Sequence, residues 1–130
     1  MSQDQLFEYA KDGSVIKLGQ LVASVDLNAT DDDGMTALMH AAAHGHYKAS
    51  GLLVGSDDST INAQDSSGKT ALMYAAGVGS NNIVKMLLKK GADPSVTDNH
   101  GQTAVDYAEA NGHEKVSRRL RGKAEGTDDA

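Results

Sequence analysis

The chain has 130 residues and a formal net charge of −6, with 39% apolar residues, 23% charged residues and no cysteine. This composition is typical of one globular domain, and it excludes disulfides, thiolate metal sites and cysteine nucleophiles. The acidic balance argues against nucleic acid as a partner, because duplex binding needs clustered Lys and Arg. No apolar run approaches the roughly 18 residues of a membrane span.

The first predicted elements are two short helices in the stretch QLFEYAKDGSVIKLGQLV, residues 5–22, which has apolar residues at helical spacing and a polar outer face. No turn motif precedes this stretch. The start of the chain lacks the basic and apolar segments of a secretory signal, so we expect the protein in the cytoplasm or the nucleus.

The next segment, GMTALMHAAAHGH at residues 34–46, is one copy of a repeat. Related copies are GKTALMYAAGVGS at residues 68–80 and GQTAVDYAEANGH at residues 101–113. The first glycines of the copies are 34 residues apart (34 to 68) and 33 residues apart (68 to 101). A fixed period of this length indicates stacked structural units, each stabilised by its neighbour.

Each copy predicts the same order of local structure. An Asp-x-x-Gly turn comes first, and a Thr follows whose hydroxyl can accept a free N–H at a helix start. A short Ala-rich helix then ends at a glycine, and its small side chains allow neighbouring helices to approach closely. A second helix follows, best seen in the apolar spacing of Ile83, Val84, Leu87 and Leu88.

The pattern Asp-x-x-Gly-x-Thr-Ala-Leu-x-x-Ala-Ala-x-x-Gly, then Ile-Val-x-x-Leu-Leu-x-x-Gly-Ala-Asp, resembles the ankyrin repeat across residues 3–121. The resemblance implies an all-α ankyrin-repeat solenoid of about four helix-turn-helix units joined by β-turn or hairpin loops. We expect one domain at residues 1–121, with an N-terminal cap at 3–30, repeats at 31–64 and 65–97, and a C-terminal cap at 98–121. Residues 122–130 are expected to be a disordered tail.

The departures from the family pattern predict local weaknesses. The family's Pro after the Thr is replaced by Ala37, Ala71 and Ala104, and its His two residues later by Met39, Met73 and Asp106. The missing His predicts a somewhat lower stability. Residues 49–51, Ala-Ser-Gly, replace bulkier residues, so we expect this second helix to be the loosest. The longer Ser- and Asp-rich loop at residues 55–64 is expected to be mobile and exposed.

The polar residues favour structure over chemistry. His40 and His44 are four residues apart with His46 nearby, but no Cys and no H-E-x-x-H motif accompanies them, so we interpret a packed His40 and two surface histidines. No nucleophile, acid–base or phosphate-loop pattern occurs, so no enzymatic activity and no cofactor are predicted. The resemblance gives Asn28 and Asn62 a structural role in bonding loop backbone.

The resemblance places partner binding on the concave face, at the turn tips and the outer ends of the first helices. The matching positions are Lys11, Asp12, Asp32, Asp33, Met35, Ala43, His44, Ser66, Ser67, Lys69, Gly77, Val78, Asn99, His100, Gln102, Ala110 and Asn111. Tyr74 and Tyr107, one helical turn earlier, are interpreted as core residues whose hydroxyls could reach the surface. The exposed aspartates and an exposed Met35 predict a protein partner with a basic surface.

The leading interpretation is therefore a monomeric, non-catalytic interaction module, an adaptor or inhibitor. An engineered ankyrin scaffold without a native partner remains an alternative, although the irregular residues 49–51 argue against a consensus design. A histidine-based metal-binding protein is a further alternative.

Overall fold

The structure, a computed structural model, describes residues 3–54 and 58–124, and the regular structure within them is all helical. This confirms the predicted all-α class. The helices are α1 Gln3–Asp12, α2 Val15–Leu21, α3 Ala37–Ala43, α4 Tyr47–Leu53, α5 Asp58–Ile61, α6 Ala71–Val78, α7 Asn81–Lys89, α8 Ala104–Ala110 and α9 Glu114–Ala124, with a 3-10 turn at Val22–Ser24.

Eight of the helices form pairs that stack in chain order. We number the pairs 1 (α1 and α2), 2 (α3 and α4), 3 (α6 and α7) and 4 (α8 and α9). The first helices pack in the order α1, α3, α6, α8, and the second helices in the order α2, α4, α7, α9. Each pair thus contacts mainly its immediate neighbours, which is the arrangement expected of a repeat protein.

Small residues allow the first helices to pack closely. Ala37, Ala41 and Ala42 of α3 are fully buried, as are Ala75 and Ala76 of α6. Leucine and methionine supply the bulk between the layers: Leu38, Met39, Leu72 and Met73 are at most 1% exposed. The methionines that replace the family's His are therefore core residues.

The helix ends follow the sequence signals. Thr36 and Thr70 each accept the N–H of the residue three positions later, at 3.2 Å, so their predicted capping role is confirmed. At α8 the backbone N–H of Thr103 donates to the carboxylate of Asp106 at 2.9 Å. Helix α6 is capped at its C-terminal end by Gly79, whose φ of 77° is the left-handed conformation that favours glycine.

The segment after α4 differs from its prediction. Residues 55–57 lie outside the described residues, but Asp58–Ile61 form a helical turn, and Thr60 and Ile61 are 3% and 2% exposed. The expectation of an exposed loop is therefore wrong for these two residues. Ile61 joins the core, and the Thr60 hydroxyl donates to Asn28 Oδ1 at 2.5 Å, which ties the segment to the preceding turn.

Two further expectations concern the role of Asn62 and the C-terminal end of the domain. The amide of Asn62 donates to Gly91 O at 3.2 Å and accepts from Asp93 N–H at 2.8 Å, which confirms its backbone-bonding role. Helix α9 continues to Ala124, beyond the expected domain end at residue 121. The remainder of the predicted tail, residues 125–130, lies outside the described residues.

Candidate functional site

The turn that opens each of pairs 2, 3 and 4 is held by one carboxylate oxygen. Asp65 Oδ1 accepts the N–H groups of Ser67 and Lys69, both at 2.9 Å. Asp31 and Asp98 make the same two bonds to the residues two and four positions later, at 2.9–3.0 Å. These bonds explain physically why each turn begins with Asp.

The three turns are joined edge to edge by their main chains. Ser66 N–H donates to Asp33 O, and Asn99 N–H donates to Ser67 O, both at 3.0 Å. The contact is so close that a Cβ on Gly68 would lie 2.7 Å from Asn99 Oδ1. We call the resulting surface the turn ridge, defined by residues 31–35, 65–69 and 98–102. Its backbone is a continuous, hydrogen-bonded support for exposed side chains.

The second oxygen of each turn aspartate reaches the first helix of its own pair. His40 Nε2 lies 2.8 Å from Asp31 Oδ2. The hydroxyls of Tyr74 and Tyr107 donate to Oδ2 of Asp65 and Asp98. Each polar ring lies nine residues after its aspartate, so one repeat position ties the ridge to the helices in all three pairs.

These bonds change the acidities of both partners. The hydrogen bond from Tyr107, together with backbone N–H groups, lowers the pKa of Asp98 below its usual 3.8. Burial and Asp98 raise the pKa of Tyr107 to about 12, and burial and Asp65 raise the pKa of Tyr74 as well. At Asp31, burial acts to raise the pKa, but the hydrogen bonds from His40 and the backbone outweigh it and lower the pKa.

A cation is stacked between two of these rings. The Lys69 Nζ atom lies 5.0 Å from the ring centre of Tyr74 and 4.9 Å from that of Tyr107. Both distances allow a cation–π interaction. The charge of Lys69 is thus held within the middle of the ridge by rings from two adjacent pairs. The middle of the ridge therefore carries a half-buried Lys side chain flanked by two Tyr rings.

The ends of the first helices are joined between pairs in a similar way. Gly77 O accepts the amide of Asn111 at 2.8 Å and His113 Nε2 at 3.2 Å. His46 Nε2 donates to Lys11 O at 2.8 Å. These three side chains reach back to the preceding pair, so the surface beside the turn ridge is also held in place.

The structure places the predicted partner-binding residues at the turn tips and the ends of the first helices, and none of them is fully buried. The exposed ones are Lys11, Asp12, Asp32, Asp33, His44, Ser66, Ser67, Val78, Asn99, His100, Gln102, Ala110 and Asn111, and the half-buried ones are Met35, Ala43, Lys69 and Gly77. The expectation that Met35 is exposed is wrong, because its side chain packs against the core. Tyr74 and Tyr107 are half-buried and pack against the core, as expected. Their contacts with Lys69 are not predicted by the sequence.

The histidines form separate contacts. His40 faces Asp31, while the rings of His44 and His46 stack with centroids 6.1 Å apart. Within residues whose side chains are described, no group of three or more His, Asp or Glu side chains could hold a metal ion.

A depression of about 730 Å³ lies between the end of α8 and the start of α9 and is lined by Glu109, Gly112, His113, Glu114, Ser117 and Arg118. Its polar groups bind each other: Glu109 accepts the Ser117 hydroxyl at 3.3 Å and pairs with Arg121. The hydroxyl is therefore a donor to a carboxylate already paired with a guanidinium, which is not the environment of an activated nucleophile.

The fold and this surface define a class: a repeat protein of stacked helical pairs with a hydrogen-bonded ridge of turns. A family model described as ankyrin repeats (3 copies) matches residues 6–98 and 52–128. The chain therefore belongs to the ankyrin-repeat family. Ankyrin repeats are generally protein–protein interaction modules, and the family is typically non-enzymatic.

A search of curated proteins found no match. Across the described parts of the chain, none of the helices combines the length and the apolar character needed to cross a membrane.

Proposed function

We propose that the chain is a non-catalytic adaptor or inhibitor that binds a partner protein as a monomer, through the turn ridge and the adjacent ends of the first helices. The observation that carries the proposal is the turn ridge itself. Main-chain bonds from Ser66 to Asp33 and from Asn99 to Ser67 fix its backbone, while the side chains at its tips are exposed. A surface that is already ordered loses little conformational entropy on binding.

The charges along the ridge support a basic partner surface at one end. Asp32 and Asp33 are exposed on the first turn, and Asp12 is exposed at the end of α1 in the neighbouring pair. The middle of the ridge carries the stacked Lys69, and its far end carries Asn99, His100 and Gln102. A partner with a cluster of Lys or Arg would therefore dock in one orientation, with its positive charge over the first turn.

The experiment is affinity capture from the source cell with the wild type and the Asp32→Lys/Asp33→Lys variant, followed by stopped-flow association with the captured partner after purification. The variant should associate about tenfold more slowly at low salt, with a weaker dependence on salt, because rim charges act mainly on the association rate. An Asp4→Lys/Glu114→Lys control changes the net charge equally at exposed sites off the ridge. Equal association rates for wild type and ridge variant would contradict the proposal.

A further inference from the structure

A second surface lies on the exposed sides of α2 and α4, away from the turn ridge. It contains four of the five large apolar residues that are exposed in the described chain: Ile16 is 80% exposed, Tyr47 46%, and Val15 and Leu52 37% each. We call this surface the outer apolar face, defined by Val15, Ile16, Gly19, Tyr47, Gly51 and Leu52. Contiguous exposed apolar residues of this kind are typical of docking sites.

The residues of the outer apolar face are neighbours because α2 and α4 pack side by side. Val15 and Tyr47 are the first residues of their helices, and Gly19 and Gly51 are the fifth. Equivalent positions in adjacent pairs lie next to each other in a stack, so Val15 is expected beside Tyr47 and Gly19 beside Gly51, with Ile16 and Leu52 on the exposed sides of the same two helices.

No contact among the described residues explains the two glycines. Both lie inside helices with negative φ, both are exposed, and a Cβ at either position would meet nothing within 4 Å. Glycine inside a helix is less stabilising than alanine, so these two residues lower the stability of the fold. Because they have no side chain, they let another backbone approach closely.

The rest of the stack does not share this face. The corresponding exposed side of α7 carries Asn82, Lys85 and Lys89, and that of α9 carries Glu114, Lys115 and Arg118. Among the second helices of the described chain, large exposed apolar residues thus occur on α2 and α4 and not on α7 or α9, so they are not a property of the repeat.

The charges on the same helices point to the occupant. Lys17 and Lys48 are the charged residues of α2 and α4; both are exposed, and neither helix contains a carboxylate. Lys17 Nζ lies 5.4 Å from the ring centre of Tyr9, at the border of the patch. A partner with an apolar stripe bordered by Asp or Glu would match both features. A second copy docked in a symmetric dimer would place lysine near lysine, and an anionic membrane would meet a protein of net charge −6.

We propose that the outer apolar face binds an amphipathic helix of a partner protein, whose apolar side covers Ile16 and Tyr47 and whose acidic flanks pair with Lys17 and Lys48. Helix-in-groove recognition of this kind uses apolar anchors at helical spacing. The glycines at positions 19 and 51 provide the shallow path between the anchors. The outer apolar face shares no residue with the turn ridge.

The test is selection of binders from a displayed library of amphipathic helical peptides of about 18 residues, with a fixed apolar stripe and randomised flanking charges. The selected peptides should be enriched in Asp and Glu at the flanks. The Ile16→Ser/Tyr47→Ser variant should raise the Kd at least about tenfold, because it removes both apolar anchors. Val78→Ser, an exposed apolar residue beside the turn ridge, and Asp32→Lys/Asp33→Lys should leave the Kd within about twofold.

Circular dichroism and urea unfolding check that the variants remain folded, which is expected because both altered side chains are exposed. Several outcomes would overturn the proposal: no enriched peptide, enrichment of basic flanks, or binding that survives the Ile16→Ser/Tyr47→Ser change. Concentration-dependent dimerisation of the wild type lost in that variant would assign the face to a second copy. Wild-type binding to vesicles of phosphatidylserine lost in that variant would assign it to a membrane.

Discussion

In each turn, one aspartate carboxylate bonds both to its own turn and to the helix that follows. Asp65 holds its own turn through Oδ1 and the following helix through Oδ2, where the hydroxyl of Tyr74 donates. In the preceding pair an imidazole, His40, replaces the phenol at the equivalent position opposite Asp31. The turn ridge is therefore anchored to the helices by side chains as well as by the backbone.

The first prediction concerns Tyr107 and acid stability. Because the pKa of Asp98 is lowered in the folded state, chiefly by Tyr107, the ionised carboxylate stabilises the fold above the ordinary carboxyl pKa of 3.8. This contribution is lost as the pH falls from about 5 through the folded-state pKa. Tyr107→Phe should reduce the loss of unfolding free energy over this range.

Urea unfolding at a series of pH values from about 6 to 2 measures the effect. Tyr47→Phe is the matched control, because Tyr47 is exposed and makes no bond to a turn aspartate. Parallel pH curves for wild type and Tyr107→Phe would show that the bond does not stabilise ionised Asp98.

At the scale of single residues, the sequence predicts contacts between residues that are close together in the chain. The Asp-x-x-Gly turns and the Thr caps join residues up to four positions apart, so residue type and spacing suffice. The stacking of Lys69 on Tyr107 joins residues of adjacent pairs, and it depends on how closely the pairs pack. No local pattern carries that distance, so the contact between Lys69 and the two tyrosines does not follow from the sequence.

The second helices differ in how well they fill their layer. Helix α7 buries Ile83 and Val84, whereas α4 has Ala49 and Ser50 at the equivalent positions. Among the described side-chain atoms, no hydrogen-bond partner lies within reach of the buried Ser50 Oγ. An unsatisfied buried hydroxyl costs free energy. Helix α4 is therefore weakened by this hydroxyl as well as by the small volume of its buried side chains.

The second prediction compares two serines at one repeat position. Ser50→Ala should leave the unfolding free energy unchanged or raise it by about 1 kcal/mol, because it removes an unsatisfied group. Ser117→Ala in α9 should lower it by about 0.5–1 kcal/mol, because the Ser117 hydroxyl donates to Glu109. Urea denaturation of the two variants measures the difference, and a lower stability for Ser50→Ala than for Ser117→Ala would contradict the assignment.

The third prediction compares two glycines. Gly51→Ala should raise the unfolding free energy by about 0.5–1 kcal/mol, because the position is helical and open. Gly79→Ala should lower it by more than about 1 kcal/mol, since φ is +77° and the new Cβ would lie 2.5 Å from the His113 ring. Thermal unfolding of both variants measures the two signs. A destabilising Gly51→Ala change would show that α4 does not gain from helix propensity.

Helix α5 shows where sequence reasoning fails at the scale of an element. Its four residues, Asp58–Ile61, are too few to show a helical period, and their composition is that of a loop. Burial of Ile61 and the bond from Thr60 to Asn28 hold the turn in place, and both are tertiary contacts. The longer helices were predictable because their apolar spacing repeats in each copy.

The whole molecule is held by contacts between neighbouring pairs. The hydrogen bond from His46 to Lys11 O joins pair 2 to pair 1. The two pairs are so close here that a Cβ on Gly13 would lie 2.7 Å from the His46 ring. His113 makes the equivalent contact between pairs 4 and 3, at Gly77 O. In such a stack, the stability of each pair depends on the interface with its neighbour.

The fourth prediction follows for His46. His46→Ala should lower the protection of α1 and α2 amides against hydrogen exchange by about 1 kcal/mol, with a smaller effect on α6 and α7, because it weakens one interface only. His100→Ala, at an exposed turn tip, is the control and should change neither. A uniform loss of protection across all four pairs would instead indicate a single cooperative unit.

A main-chain hydrogen bond joins the second residue of each later turn to the third residue of the turn before it. Because this bond is the same at both junctions, the turns of the pairs are interchangeable. Ser66 donates to Asp33 as Asn99 donates to Ser67, with no side chain involved in either bond. Suppose that residues 65–97 were duplicated and the copy inserted before Asp98. The carbonyl of Ser67 in the copy would then accept the N–H of Asn99, and the N–H of Ser66 in the copy would donate to the carbonyl of the original Ser67. Lengthening of the chain by tandem duplication therefore needs no new turn chemistry.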